Sequence, residues 1–263
     1  MKKMFALALA LLMVMFTCFA VAENGLDKIK KAGKLVVGTE ATYPPYEYVD
    51  EDGKFAGCDF WLAGKLAEAL GVELEVQDMS FDGIIPAVQS GMVDLGIAAF
   101  TITPERQQVI DFSNQYELSR QLLIVKSENG SKYSTKEALA GLKVGAQLGS
   151  LQSQLVEKAL PESELFELAK YPDLALETKN GNIAGFVLDA AVGESMVAES
   201  DGALVASDFV FSDEEASFGK ACVIAKGNQA LMDAVNKVID QAVQDGSYLK
   251  AYEAAVAATG KAE

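Results

Sequence analysis

Short apolar runs that suit strands alternate with helix-length amphipathic segments along most of the chain, and that alternation limits the fold. Leu35-Val36-Val37 reads as a buried strand ending at Gly38. Tyr46 to Tyr48 and the stretch around Phe55 flank an Asp52-Gly53 hairpin signal. Leu62, Leu66 and Leu70 recur at helical spacing, with Gly71 placed to stop that helix. Val72, Leu74 and Val76 alternate with Glu73, Glu75 and Gln77, the pattern of a half-buried strand. Asp82 is positioned to cap a helix that runs to Ser90 and closes at Gly91, and residues 94–98 form the next strand. A second series follows. Ser134-x-x-Glu137 offers a capping box. Residues 142–146 read as a strand, 150–159 as a helix, and 185–188 as a strand leading into another helix. Residues 229–246 and 248–258 are helical. Strands separated by helices imply parallel sheets covered on both faces. No low-complexity linker parts the two series, so two α/β lobes joined by crossing strands are expected.

The first residues indicate export. Lys2 and Lys3 precede an apolar run from Met4 to Phe19, and Ala20-Val21-Ala22 supplies the small residues of a cleavage site before Glu23. Cys18 raises lipid attachment as a rival, which Met-Phe-Thr before it disfavours. Removing residues 1–22 takes away two lysines, so the net charge moves from −16 to −18. A phosphate backbone needs a basic patch, and no basic run exists, so nucleic acid is excluded as a partner. Histidine is absent, which removes Ser-His and Cys-His nucleophilic machinery and every histidine-based metal site. No cofactor or metal is expected. Cys58 and Cys222 remain open between a disulfide and two buried small hydrophobes.

Ligands of open α/β sheets bind beyond the carboxyl ends of the strands, against helix N-termini. The strand at 94–98 empties into Ala99-Phe100-Thr101-Ile102-Thr103-Pro104-Glu105-Arg106. Thr103 suits an N-cap and Pro104 the first helical position, so Arg106 lies where its fork reaches back over the helix start. A ligand carboxylate there would meet backbone N–H groups, the Thr101 hydroxyl and a bidentate guanidinium.

That segment, together with Thr39-Glu40-Ala41-Thr42-Tyr43-Pro44-Pro45-Tyr46 and Phe81-Asp82-Gly83-Ile84-Ile85-Pro86, resembles the polar amino-acid family of bacterial solute-binding proteins that serve ABC importers. The resemblance runs from about Leu35 to Tyr252. It implies a two-lobed periplasmic-binding-protein fold of type II, with lobe one at 24–121 plus 217–263 and lobe two at 122–216. It also implies that Arg106 and Thr101 hold the ligand carboxylate, that the Ala99 carbonyl receives the ammonium group, and that Tyr43 and Phe81 sandwich the side chain. From the second lobe, the turn Gly149-Ser150-Leu151-Gln152 matches one whose main-chain N–H groups face the carboxylate. The family often has Thr at Leu151, so only the main-chain role carries over there. Asn180-Gly181-Asn182-Ile183-Ala184-Gly185 matches a Gly-x-x-Asp-Ala run, with Ala184-Gly185 in place of Asp-Ala, and it leads to Asp189 as the ammonium-binding carboxylate.

A zwitterion enclosed away from water needs one fixed cation and one fixed anion, and Arg106 and Asp189 from different lobes supply them only when the lobes meet. The expected function is capture of an L-amino acid and its delivery to the permease subunits of an ABC importer, by a monomer located in the periplasm or at the cell surface. Glu40 at the cleft mouth favours a polar neutral or cationic side chain, unless it pairs with a protein group. A dehydratase-type enzyme on the same fold and a ligand sensor for a separate receptor are the alternatives.

Overall fold

The computed structural model describes residues 25–212 and 218–259; the leader, its cleavage site and Cys18 lie outside them. Two five-stranded sheets form the two halves. The first runs Glu73–Asp78, Lys34–Thr39, Leu95–Gly96, Val223–Ile224 and Asp111–Phe112 in spatial order. The second runs Glu164–Leu168, Lys143–Gln147, Gly185–Asp189, Gln121–Lys126 and Leu204–Ala206. In each, the first three strands are parallel. The fourth runs antiparallel to both of its neighbours, a departure from the all-parallel pattern that the alternation suggests. The reason is connectivity. Both fourth strands follow a segment that has just crossed from the other half, Glu117–Ser119 or Phe218–Lys220, so they enter their sheets from the opposite end. The two crossing segments pair with each other antiparallel. They are the hinge element.

Each sheet is packed on both faces. Ile84, Val88, Phe100 and Val223 fill one side of the first sheet, and Leu62, Leu66, Leu231 and Val235 belong to the core on the other. Val144, Leu155, Val156 and Phe209 fill one side of the second. The helix Cys58–Leu70 buries Cys58, Leu62, Leu66 and Ala67 and stops at Gly71, whose φ of 70° lets its N–H reach the Ala67 and Glu68 carbonyls. Cys58 and Cys222 are free and buried, two small apolar side chains with no disulfide between them.

Three local expectations need correction. The helix Phe81–Ser90 is preceded by Ser80 at its N-cap, so Asp82 sits inside the first turn instead of capping. The helix Lys136–Leu139 is capped by Thr135, not Ser134, because the extended backbone of Thr135 puts its hydroxyl on the Ala138 N–H. The strand at 94–98 pairs only through Leu95–Gly96. Gly96 is pressed between Val223 and Ile84, and beyond it the chain turns sharply to place Ala99 at a φ of 47°.

One glycine fixes the loop that carries Tyr43. Gly57 has a φ of 118°, and a side chain there would meet the Tyr46 carbonyl oxygen at 2.1 Å. That close approach lets the start of helix Cys58–Leu70 donate to the preceding loop, Cys58 N to Pro45 O at 3.2 Å and Asp59 N to Tyr46 O at 2.9 Å. Gly57→Ala should therefore destabilise the fold by on the order of 3 kcal/mol. A denaturation midpoint within roughly 1 °C of the parent would refute this account of the loop.

Candidate ligand-binding site

The carboxyl ends of the central parallel strands of both sheets converge on one cleft. Lys34–Thr39 and Leu95–Gly96 deliver Glu40, Ala98 and Ala99 from one side, and Lys143–Gln147 and Gly185–Asp189 deliver Gln147 and Asp189 from the other. The enclosed space between them is about 20 Å³, roughly the room one water needs.

Arg106 lies on the seam. Thr103 caps the short helix Pro104–Gln107 by accepting from the Arg106 N–H at 3.2 Å, which turns the arginine back over the helix start. Its guanidinium donates through Nη1 to Thr101 O at 2.8 Å and through Nη2 to Gly149 O at 3.2 Å, the second bond crossing to the other half. The group is only 8% exposed and stacks at 5.4 Å over both Phe81 and Phe100. Among the described residues no carboxylate pairs with it. Burial pulls its pKa down to about 10, which leaves it cationic at neutral pH. A guanidinium so placed has donors left for an anion.

Asp189 faces Arg106 from the second sheet. It holds the N-cap position of helix Ala190–Ala198 by backbone geometry, yet its side chain makes no cap bond. Instead Oδ1 accepts from Ser119 Oγ and from Gln121 Nε2 at 2.8 Å, and Oδ2 accepts from Tyr43 Oη at 2.8 Å and Lys220 Nζ at 2.7 Å. Burial alone would push this carboxyl up; the Lys220 charge and the hydrogen bonds overcome it and hold the group below its ordinary range.

Glu40 is buried at the cleft and accepts from Thr42 Oγ1 and from Gln147 Nε2 at 3.0 Å, so it does pair with protein groups. Burial raises its pKa against those bonds. Tyr43 and Tyr171 face each other across the seam at 5.0 Å between ring centres. Ser150 caps helix Leu151–Ala159 through Ser153 N at 3.1 Å, and Gln152 Nε2 donates to Gln121 Oε1 at 2.8 Å. At the inner end, the side chains of Glu47 and Asp59 lie within hydrogen-bond reach of each other. Among the described residues neither Glu47 Oε2 nor Asp59 Oδ1 has a hydrogen-bond partner. Burial first, and the Asp59 charge second, push Glu47 well above the carboxylate range.

The cleft brings together Glu40, Tyr43, Phe81, Ala99, Thr101, Arg106, Ser150, Leu151, Gln152 and Asp189, all ten residues singled out from the sequence. It also holds four that were not, Glu47, Ala98, Gln147 and Tyr171, and Lys220 behind them. Gln147 had a signal, since it ends its strand as Asp189 ends the neighbouring one. So had Lys220, a lone charge inside the apolar run Ala221-Cys222-Val223-Ile224 and its approach. Tyr171 had none.

The profile of the bacterial extracellular solute-binding proteins, family 3, matches residues 35–256. The arginine-binding extracellular protein ArtP of Bacillus subtilis is 34% identical over 257 residues, 95% of this chain and 96% of its own length. The L-cystine-binding protein TcyJ of Escherichia coli K12 is 30% identical over 225 residues, 86% of this chain and 83% of its own. Among solved structures, the amino acid ABC transporter substrate-binding protein AbpA of Streptococcus pneumoniae, bound to L-arginine, superposes with a TM-score of 0.85. It is 35% identical, covering 89% of this chain and 99% of that one.

The Glu47 pair carries a pH signature. Its folded pKa lies above the ordinary 4.5, so the stability it contributes is complete below that value and is lost as pH rises through the folded pKa. Glu47→Gln, whose amide donates to Asp59 at every pH, should gain about 1–3 kcal/mol over the parent at pH 8. The gain should shrink towards pH 5. Urea unfolding that shows a constant difference across that range would contradict the assignment.

Proposed function

The chain belongs to the bacterial extracellular solute-binding proteins, family 3, and from that membership we propose that it captures an L-amino acid between its lobes for the permease subunits of an ABC importer. The observation that carries this reading is Arg106, a buried cation at the seam that pairs with no carboxylate among the described residues. The ligand carboxylate completes it, with Thr101 and the start of helix Leu151–Ala159 alongside. The ligand ammonium goes to Asp189 and the Ala99 carbonyl, and its side chain lies between Tyr43 and Phe81.

Lobe one, at 24–121 plus 217–263, moves against lobe two, at 122–216, about the paired segments Glu117–Ser119 and Phe218–Lys220. The cleft lies on the seam between the two halves, so the lobes part to admit the ligand and close on it. Residues 1–22 direct export, to the periplasm or the cell surface, and among the described residues no helix is long and apolar enough to cross a membrane.

The side chain is polar neutral or cationic. Glu40 lines the cleft beside its two protein donors, Thr42 and Gln147, and a cationic or N–H-bearing ligand side chain would give it a third partner. A chain of net charge −16 offers no steering to an acidic ligand. The names of the relatives, for arginine and cystine, agree with that class. A dehydratase-type reaction is the second reading, carried by Glu47, a buried acid lining the cleft with its proton tightly held. Aromatic product from arogenate or prephenate would favour it.

A thermal-shift panel of the common amino acids identifies the ligand, since a thousandfold excess over Kd adds about 4 kcal/mol of stability. Arginine, lysine or glutamine should give the largest shift. Arg106→Ala should keep the fold and lose more than a hundredfold in affinity by calorimetry. Near-parent affinity in that variant would overturn the carboxylate assignment.

A further inference from the structure

Lys220 is a buried charge directly behind the cleft, and it stands where the ligand ammonium is expected. Its side chain is fully buried, with Nζ 2.7 Å from Asp189 Oδ2 and 3.2 Å from Ala99 O. Those are the two acceptors assigned to an amino acid's ammonium group. Ala99 belongs to the first sheet's side and Asp189 to the second, so this one ammonium ties the two halves together from the crossing segment Phe218–Lys220. We propose that Lys220 is an internal ammonium that competes with the ligand's for Asp189 and Ala99 O, and that it must swing aside for an amino acid to bind. The inference rests on the amino-acid reading of the cleft.

The count of donors requires a displacement. An ionised carboxylate offers about four lone-pair sites. Asp189 already accepts from Ser119, Gln121, Tyr43 and Lys220. Of these, Lys220 alone is charged and alone also holds Ala99 O. Exchanging it for a ligand ammonium swaps like for like, whereas losing any partner outright would leave a buried charge exposed to the full desolvation cost.

The displaced lysine turns towards the acidic groups behind the cleft. Its charge already acts on Glu47, Asp59 and Glu117, lowering all three against burial. Among the described residues Glu47 Oε2 and Asp59 Oδ1 have no hydrogen-bond partner, so both can accept from an arriving ammonium. The Tyr46 ring, 4.6 Å from Nζ, flanks the lysine where it now stands. Lys220 thus lowers affinity for ligands that carry an α-ammonium and leaves carboxylates without one unopposed. It is a specificity-determining residue.

The test is calorimetry on the full-length mature protein and on Lys220→Met. L-arginine, L-lysine and L-glutamine are titrated beside the des-amino analogue of each. Where the parent binds an amino acid, the variant should bind it at least tenfold tighter and its des-amino analogue no tighter. Equal or weaker amino-acid binding by a folded variant overturns the competition while leaving the amino-acid reading intact. No binding of any common amino acid by either protein overturns the amino-acid reading itself. Because the variant strips a buried carboxylate of its partner and can fail to fold, the parent is also followed by 15N NMR of its lysine ammonium groups. The protected Lys220 signal, assigned by its loss in Lys220→Arg, should move on saturation with the amino acid that binds. An unmoved signal overturns the proposal.

Discussion

Arg106 carries a full charge into a place where a charge is expensive, and among the described residues its side chain donates only to neutral carbonyls. Two main-chain carbonyls, Thr101 O and Gly149 O, and two aromatic faces surround it. Carbonyl dipoles soften the desolvation of a guanidinium without cancelling its charge, which is why burial still pulls its pKa down. The rest of the cleft is arranged around that deficit. Thr103 and Pro104 fix the helix that aims the side chain, and the turn at Gly149 meets it from the opposite half.

The opposite charge is treated in the opposite way. Asp189 is saturated, with four donors of which one is a lysine, and these hold its carboxyl below its ordinary range at a depth where burial alone would raise it. One pole of the cleft therefore lacks a counter-ion and the other possesses one. In the proposed reading a zwitterion completes the first and exchanges into the second, on the seam between the sheets. The doubled topology makes this geometry available. Each sheet ends its parallel strands at the seam, and each receives its fourth strand from the crossing pair, so opening the cleft leaves both cores intact.

Much of this was legible in the sequence, and the parts that were not have common physical causes. Strands and helices such as Lys34–Thr39, Cys58–Leu70 and Leu151–Ala159 follow from local periodicity and capping, which need no tertiary information. The caps at Ser80 and Thr135 were misplaced by one or two residues because neighbouring polar residues compete for the same role, and backbone geometry chooses. The strand at 94–98 was read too long because apolar character persists past Gly96 while pairing stops there. In the cleft, residues within recognisable motifs were found and those outside them were not. Tyr171 comes from a segment with no distinctive pattern, and Glu47 looks like an ordinary strand residue until Asp59 is placed against it. Lys220 announced only that it needed a partner, and its partner lies 31 positions earlier in the chain.

The central claim is that a ligand anion supplies the charge Arg106 lacks. It is tested most directly by calorimetric titration of the unaltered protein with the amino acid that gives the largest thermal shift and, in parallel, with its carboxamide. The carboxamide keeps the ammonium group and side chain but carries no negative charge. The account predicts that it binds at least a hundredfold more weakly, about 2.7 kcal/mol. Equal affinity for the acid and the amide would contradict it.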